Sequence, residues 1–177
     1  MTLATPEQSD DLVSLCHVVS ELGAELVIIG ATAFRAFFPD YARYTEDIDV
    51  AVALDLEGFS LLEERLVKDG WRRDSKQEQR WYGPRGSRMD ILPAGPQSRA
   101  SGKIVWPLSG MVMSLAGFDY VFQQAAEVEI ASGIIVKAVT PPLLFFLKIV
   151  SYLDDQHRRA KDLGDIHEVV ESLQTRH

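Results

Sequence analysis

Thr45-Glu46-Asp47-Ile48-Asp49-Val50-Ala51-Val52-Ala53-Leu54 sets two carboxylates at the mouth of an apolar run. Side chains alternate along a strand, so Asp47 and Asp49 share one face while Ile48, Val50, Val52 and Leu54 cover the other. Two like charges that close raise one pKa or need a cation between them. Carboxylate oxygens on an open rim are hard ligands suited to Mg2+. Arg88-Met89-Asp90-Ile91-Leu92 repeats the setting, with one acid inside an apolar strand. If the two strands are neighbours, Asp90 faces the same site. Three carboxylates can then hold a pair of divalent ions, the arrangement that serves phosphoryl and nucleotidyl transfer.

Working outward, Glu25-Leu26-Val27-Ile28-Ile29 is a short buried-strand signature ended by Gly30. A short helix, Ala31 to Phe38, follows and is stopped by Pro39. The Gly30-Ala31-Thr32 corner therefore joins a strand to a helix amino terminus, where backbone N–H groups and the helix dipole favour a phosphate. Gly30 allows close approach, and Thr32 supplies a hydroxyl.

Upstream, Thr5-Pro6-Glu7-Gln8 reads as a capped helix start, continued by Leu12, Leu15, Cys16, Val19 and Leu22 at helical spacing. Downstream, Leu56 to Asp69 reads as a helix. Trp71–Ser75, Gln79–Tyr82 and Arg88–Leu92 read as strands around a Gly83-Pro84-Arg85-Gly86 turn. Residues 93–117 are rich in Pro, Gly and Ser and show no clear period. Phe118 to Ala126 reads as a helix, and Val128–Ile130 with Ile134–Val136 as a hairpin. Pro141-Pro142 opens a helix to Leu153, and a last helix is expected from Ala160 to Leu173. This order predicts an α/β (α+β) fold, a mixed sheet flanked by helices with a helical carboxyl-terminal part. Residues 1–140 form the expected core, with residues 141–177 packed on it as one compact unit.

The chain has 177 residues, a formal net charge of −8 and one cysteine, Cys16. Such a balance excludes a general nucleic-acid coat, and a single cysteine excludes an intrachain disulfide. No basic start followed by an apolar run opens the sequence and no stretch is long enough to span a bilayer, so the expectation is a cytoplasmic protein without a membrane partner. The charge is uneven. Arg65 to Lys103 carries ten basic residues against four acids, a net +6, which leaves −14 for the rest. That segment includes Asp90, so Arg72, Arg73, Lys76 and Arg80 are expected to border the site as a basic cleft.

Gly30-Ala31-Thr32-Ala33, Arg43-x-Thr45-x-Asp47-Ile48-Asp49 and Met89-Asp90-Ile91-Leu92 together resemble the DNA polymerase β-type nucleotidyltransferase superfamily. Within it, the sequence is most similar to the small AbiEii-type toxins of abortive infection. Pro141-Pro142 followed by Lys148, and Lys161-Asp162-x-x-Asp165, extend the likeness. Ala31 departs from the usual second small residue of the corner, Gly or Ser. The resemblance implies transfer of NMP from an NTP to a hydroxyl with Mg2+, or Mn2+, as cofactor. Asp47, Asp49 and Asp90 would be the catalytic metal ligands. Gly30, Ala31, Thr32, Arg43, Lys148, Lys161 and Asp162 would contact the nucleotide. The acceptor would be an RNA 3′ end such as tRNA, a protein side chain or a small molecule, and a cognate antitoxin is an implied partner. The alternative is a catalytically silent module of the same fold that binds a nucleotide or a partner.

Overall fold

The computed structural model describes residues 3–38, 45–154 and positions 163, 164, 166, 167, 170, 171 and 174. Arg43, Lys161, Asp162 and Asp165, with most of the expected last helix, lie outside the described residues.

The opening capping box forms as the sequence dictates. Thr5 Oγ1 accepts from the Gln8 N–H at 3.2 Å and Gln8 Oε1 accepts from the Thr5 N–H at 2.9 Å. Helix α1 (Pro6–Glu21) then buries Leu12, Leu15, Val18 and Val19. Gln8 also donates through Nε2 to the Glu46 carbonyl at 3.0 Å, tying the start of α1 to the residue before Asp47. Cys16 lies half-buried beside the same core, and burial pushes its thiol up to about 11, which makes it an inert packing residue.

Strands β1 (Leu26–Ile29) and β2 (Asp47–Val52) pair antiparallel, with helix α2 (Gly30–Phe37) following β1 directly. Helix α3 (Leu56–Lys68) buries Phe59, Leu62 and Leu66 and leads to β3 (Arg72–Arg73), β4 (Arg80–Tyr82) and β5 (Arg88–Pro93). β5 returns to lie parallel to β2.

Residues 93–117, which carry no period, form helix α4 (Pro96–Ser101) and a small hairpin of β6 (Lys103–Val105) and β7 (Val112–Ser114). Helix α5 (Phe118–Gln123) precedes β8 (Ala125–Ala131) and β9 (Ile134–Val139), a longer hairpin than the sequence suggests. Helix α6 (Pro141–Asp154) packs against α2. The seven-stranded mixed sheet runs β3-β4-β5-β2-β1-β9-β8.

Buried carboxylates fasten the connections. Asp55 precedes α3 yet caps α4 instead, accepting from the Ser98 N–H at 2.8 Å and the Gln97 N–H at 3.2 Å. Glu78 accepts from the Ser109 and Leu108 N–H groups at 2.7 and 2.9 Å and so pins the β6–β7 turn. Burial alone would raise the Glu78 carboxyl, but these bonds and the charge of Arg73 outweigh it and hold it below its ordinary value.

Asp11 is fully buried in α1 and reaches the turn between β4 and β5. It accepts from the Ser87 hydroxyl at 2.6 Å and from the Ser87 and Arg85 N–H groups at 3.3 Å. Gly83 is required there, because a Cβ would overlap the Asp11 carboxylate. Bonds to a buried charge are worth more than neutral ones, and removing the acceptor strands three donors. Asp11→Ala is therefore expected to lower unfolding stability by about 2–4 kcal/mol in urea denaturation. Its exposed neighbour Asp10, an ion-pair partner of Arg85 at 3.1 Å, should cost under about 1 kcal/mol when replaced by Ala.

Candidate active site

The parallel pairing of β2 with β5 aligns Asp47 with Arg88, Ile48 with Met89 and Asp49 with Asp90. Ile48, Val50, Met89 and Ile91 are buried on one face. By strand alternation Asp47, Asp49 and Asp90 share the other. Neighbouring strands lie about 4.8 Å apart, so Asp49 and Asp90 stand side by side.

The end of β1 closes the site from the other flank. Ile29 pairs with Asp49, and the next residue is Gly30 at φ +66°. That left-handed backbone suits glycine. A Cβ at Gly30 would also collide with Asp49 Oδ2, so the Asp49 carboxylate lies against bare main chain. No side chain caps the first turn of α2, which begins at this corner. Its leading N–H groups lack intrahelical acceptors and face the positive end of the helix dipole.

Thr32, the third residue of the corner, is buried, and its hydroxyl donates to the Asp47 carbonyl at 3.5 Å. Thr45 donates to the same carbonyl at 3.1 Å and accepts from the Asp47 N–H at 3.3 Å. Both threonines brace Asp47, so the Thr32 hydroxyl is directed to β2 instead of standing open for a phosphate.

Two arginines meet the acids. Arg80 on β4 pairs with Asp90 across the antiparallel β4–β5 register. Its Nε donates to Asp90 Oδ1 at 2.8 Å and its Nη2 to Asp90 Oδ2 at 2.9 Å, a two-pronged contact. The same Nη2 lies 3.3 Å from Asp47 Oδ2. Arg88 donates through Nε to Asp47 Oδ1 and through Nη2 to Glu46 at 3.3 Å. The hydrogen bond to Asp90 raises the Arg80 pKa further, and the one to Asp47 does the same for Arg88. Both guanidiniums are permanently charged here. Neither contact is carried by a local motif: Arg80 meets Asp90 through the β4–β5 register, and Arg88 meets Asp47 through the β2–β5 register.

The expected basic cleft divides by strand parity. Arg72 and Tyr82 face each other on β3 and β4, with the Arg72 guanidinium 5.6 Å from the Tyr82 ring centre. Tyr82 in turn is in register with Arg88, so this row continues from Asp47. Arg73 pairs with Trp81 on the opposite face and makes ion pairs with Glu63 at 3.1 Å and Glu78 at 3.6 Å. Arg80 is engaged with Asp90. Of the patch expected from Arg72, Arg73, Lys76 and Arg80, Arg73 thus falls on the opposite face, while Arg72 and Arg80 stay on the face of the acids. Of the remaining site candidates, Ala31 is half-buried in the first turn of α2, and Lys148 is half-buried on α6.

Asp47, Asp49 and Asp90 offer carboxylate oxygens, the donor chemistry that a hard divalent ion takes. A cation already sits between Asp47 and Asp90 in the form of the Arg80 guanidinium. Among the described residues no group of three or more His, Cys, Asp or Glu side chains is arranged to hold a metal ion.

A family model described as the nucleotidyl transferase AbiEii toxin of type IV toxin–antitoxin systems matches residues 14–83. No curated protein matches the sequence. Among solved structures, an antigenic nucleotidyltransferase-like protein from Paracoccidioides brasiliensis is similar with a TM-score of 0.59 and 19% identity, over 97% of this chain and 78% of that one. ANT(2")-Ia in complex with adenylyl-2"-tobramycin is similar with a TM-score of 0.55 and 16% identity, over 94% of this chain and 89% of that one. These likenesses show that the chain has the nucleotidyltransferase fold.

Gly30→Ala combines a strained backbone with displacement of Asp49. The left-handed conformation alone should cost about 1–2 kcal/mol in thermal or urea unfolding.

Proposed function

We propose that the chain is a nucleotidyltransferase that moves NMP from an NTP to a hydroxyl acceptor. The observation that carries this reading is the in-register placement of Asp49 and Asp90, with Asp47 on the same face, beside an uncapped helix start that only glycine can open. The family match over residues 14–83 and the fold support it.

In this reading Gly30 and Ala31 receive the outer phosphates on backbone N–H groups. Thr32 acts at one remove, by holding the Asp47 main chain. Asp47, Asp49 and Asp90 would hold Mg2+ or Mn2+, which supplies charge neutralisation on the phosphates and acidifies the acceptor hydroxyl. Asp90, on β5, the acid-bearing strand farther from the Gly30 corner, takes the acceptor's proton. The acceptor oxygen forms a bond to the α-phosphorus as the bond to the bridging oxygen breaks, and pyrophosphate leaves. Lys148, on the helix that touches α2, and Arg43, Lys161 and Asp162 remain proposed nucleotide contacts.

The acceptor is proposed to be an RNA 3′ end such as tRNA, a protein side chain or a small molecule. The described family supports a toxin working in the cytoplasm with a cognate antitoxin. Among the described residues no helix is long and apolar enough to cross a membrane. The arginine pairing of Asp47 and Asp90 favours one second reading, a silent module that binds nucleotide without transferring it.

Incubation with each α-labelled NTP, Mg2+ or Mn2+ and total RNA separates the two. Transfer of label is expected, and Asp49→Ala should reduce it by about 100-fold or more. NTP binding without any transfer, to RNA, protein or small hydroxylated acceptors, would establish the silent module.

A further inference from the structure

Of the two arginines at the site, Arg80 contacts two of the three aspartates. Arg80 is mostly buried, at 17% exposure, and Asp90 is similar at 16%. The arginine backbone is fixed on both sides. Its strand is paired to β5 at Arg80, Trp81 and Tyr82, and the Trp81 side chain is buried in the opposite face. The guanidinium can leave Asp90 only by rotating its side chain. It spans two acids that sit on different strands, Asp47 on β2 and Asp90 on β5. Arg88 differs, since it contacts Asp47 from the more exposed rim and reaches out to Glu46.

We propose that Arg80 is a positioning residue that serves as the resident counter-cation of Asp47 and Asp90, so that a divalent ion enters this site together with a nucleotide and only weakly without one. This rests on the metal-dependent reading given above. Two guanidiniums offset part of the charge of the three aspartates and Glu46, and an ion arriving alone must still displace the two-pronged Arg80–Asp90 bond. Breaking a partly buried charge pair without offering a replacement partner is costly. A polyphosphate supplies the replacement, because its oxygens match the planar guanidinium fork as a carboxylate does. Arg80 then moves from Asp90 to the phosphates, and the freed carboxylates take the ion. The acids are thereby kept from repelling one another while the site waits.

The test is Mn2+ binding to the full chain, read from the electron paramagnetic resonance signal of free Mn2+, with and without a non-hydrolysable NTP analogue, after subtracting the Mn2+ that the analogue takes up without protein. Wild type should bind Mn2+ weakly alone and about tenfold or more tightly with the analogue. Arg80→Gln should bind Mn2+ alone about tenfold more tightly than wild type and show a smaller gain from the analogue. Arg80→Lys keeps the charge but not the fork, should fall between them, and carries the comparison if the Gln variant fails to fold by circular dichroism.

The proposal is overturned if wild type binds Mn2+ equally well with and without the analogue, or if the folded variants match wild type without it. Absence of Mn2+ binding in all variants, with the analogue present, would instead defeat the metal-dependent reading, and this proposal with it.

Discussion

Like-charge repulsion between neighbouring strands is the constraint around which this site is arranged. The parallel pairing of β2 with β5 puts Asp49 opposite Asp90, and the two-residue strand period adds Asp47 to the same face. Such a cluster is unfavourable unless cations stand among the acids. The fold supplies them from the next strands out, Arg80 from β4 and Arg88 from β5 itself. The antiparallel pairing of β4 with β5 is therefore an electrostatic requirement as well as a hydrogen-bonded one. A one-residue slip would turn Arg80 into the core and leave Asp90 facing the aromatic side of Trp81.

Carboxylates do a second kind of work away from this face. Asp11, Asp55 and Glu78 each take N–H groups from a distant loop, and each holds a connection that the sheet alone would leave loose. Asp55 and Glu78 account for the ordered path through α4 and the β6–β7 hairpin.

The sequence makes the acidic pattern legible because strand alternation is local. Asp47, Asp49 and the Gly30 corner can be read within a few residues, and the buried apolar runs identify β1, β2 and β5. Whether Asp90 joins them depends on β5 lying beside β2, a fact of topology. The arginine contacts are hidden for the same reason, since the register of β4 against β5 places Arg80 and that of β5 against β2 places Arg88. The basic stretch from Arg65 to Lys103 misleads when read as one surface, because Arg72 and Arg73 point to opposite faces. The β6–β7 hairpin escapes local reading because its turn is held by Glu78, a residue thirty positions upstream. The Thr32 hydroxyl is likewise committed by a contact with β2 that no corner motif reveals.

The bond between Asp11 and Ser87 spans 76 residues of sequence and has a kinetic consequence. The first helix can form early, since its capping box and apolar stripe are local. Its buried acid has no partners until the chain has been made past residue 87. Contacts of such long separation close late and slow the approach to the native state. The hairpin that carries Arg80 and Arg88 is therefore completed by a segment synthesised well before it. Detachment of the amino-terminal helix would loosen the arginines before it disturbed the aspartates they neutralise.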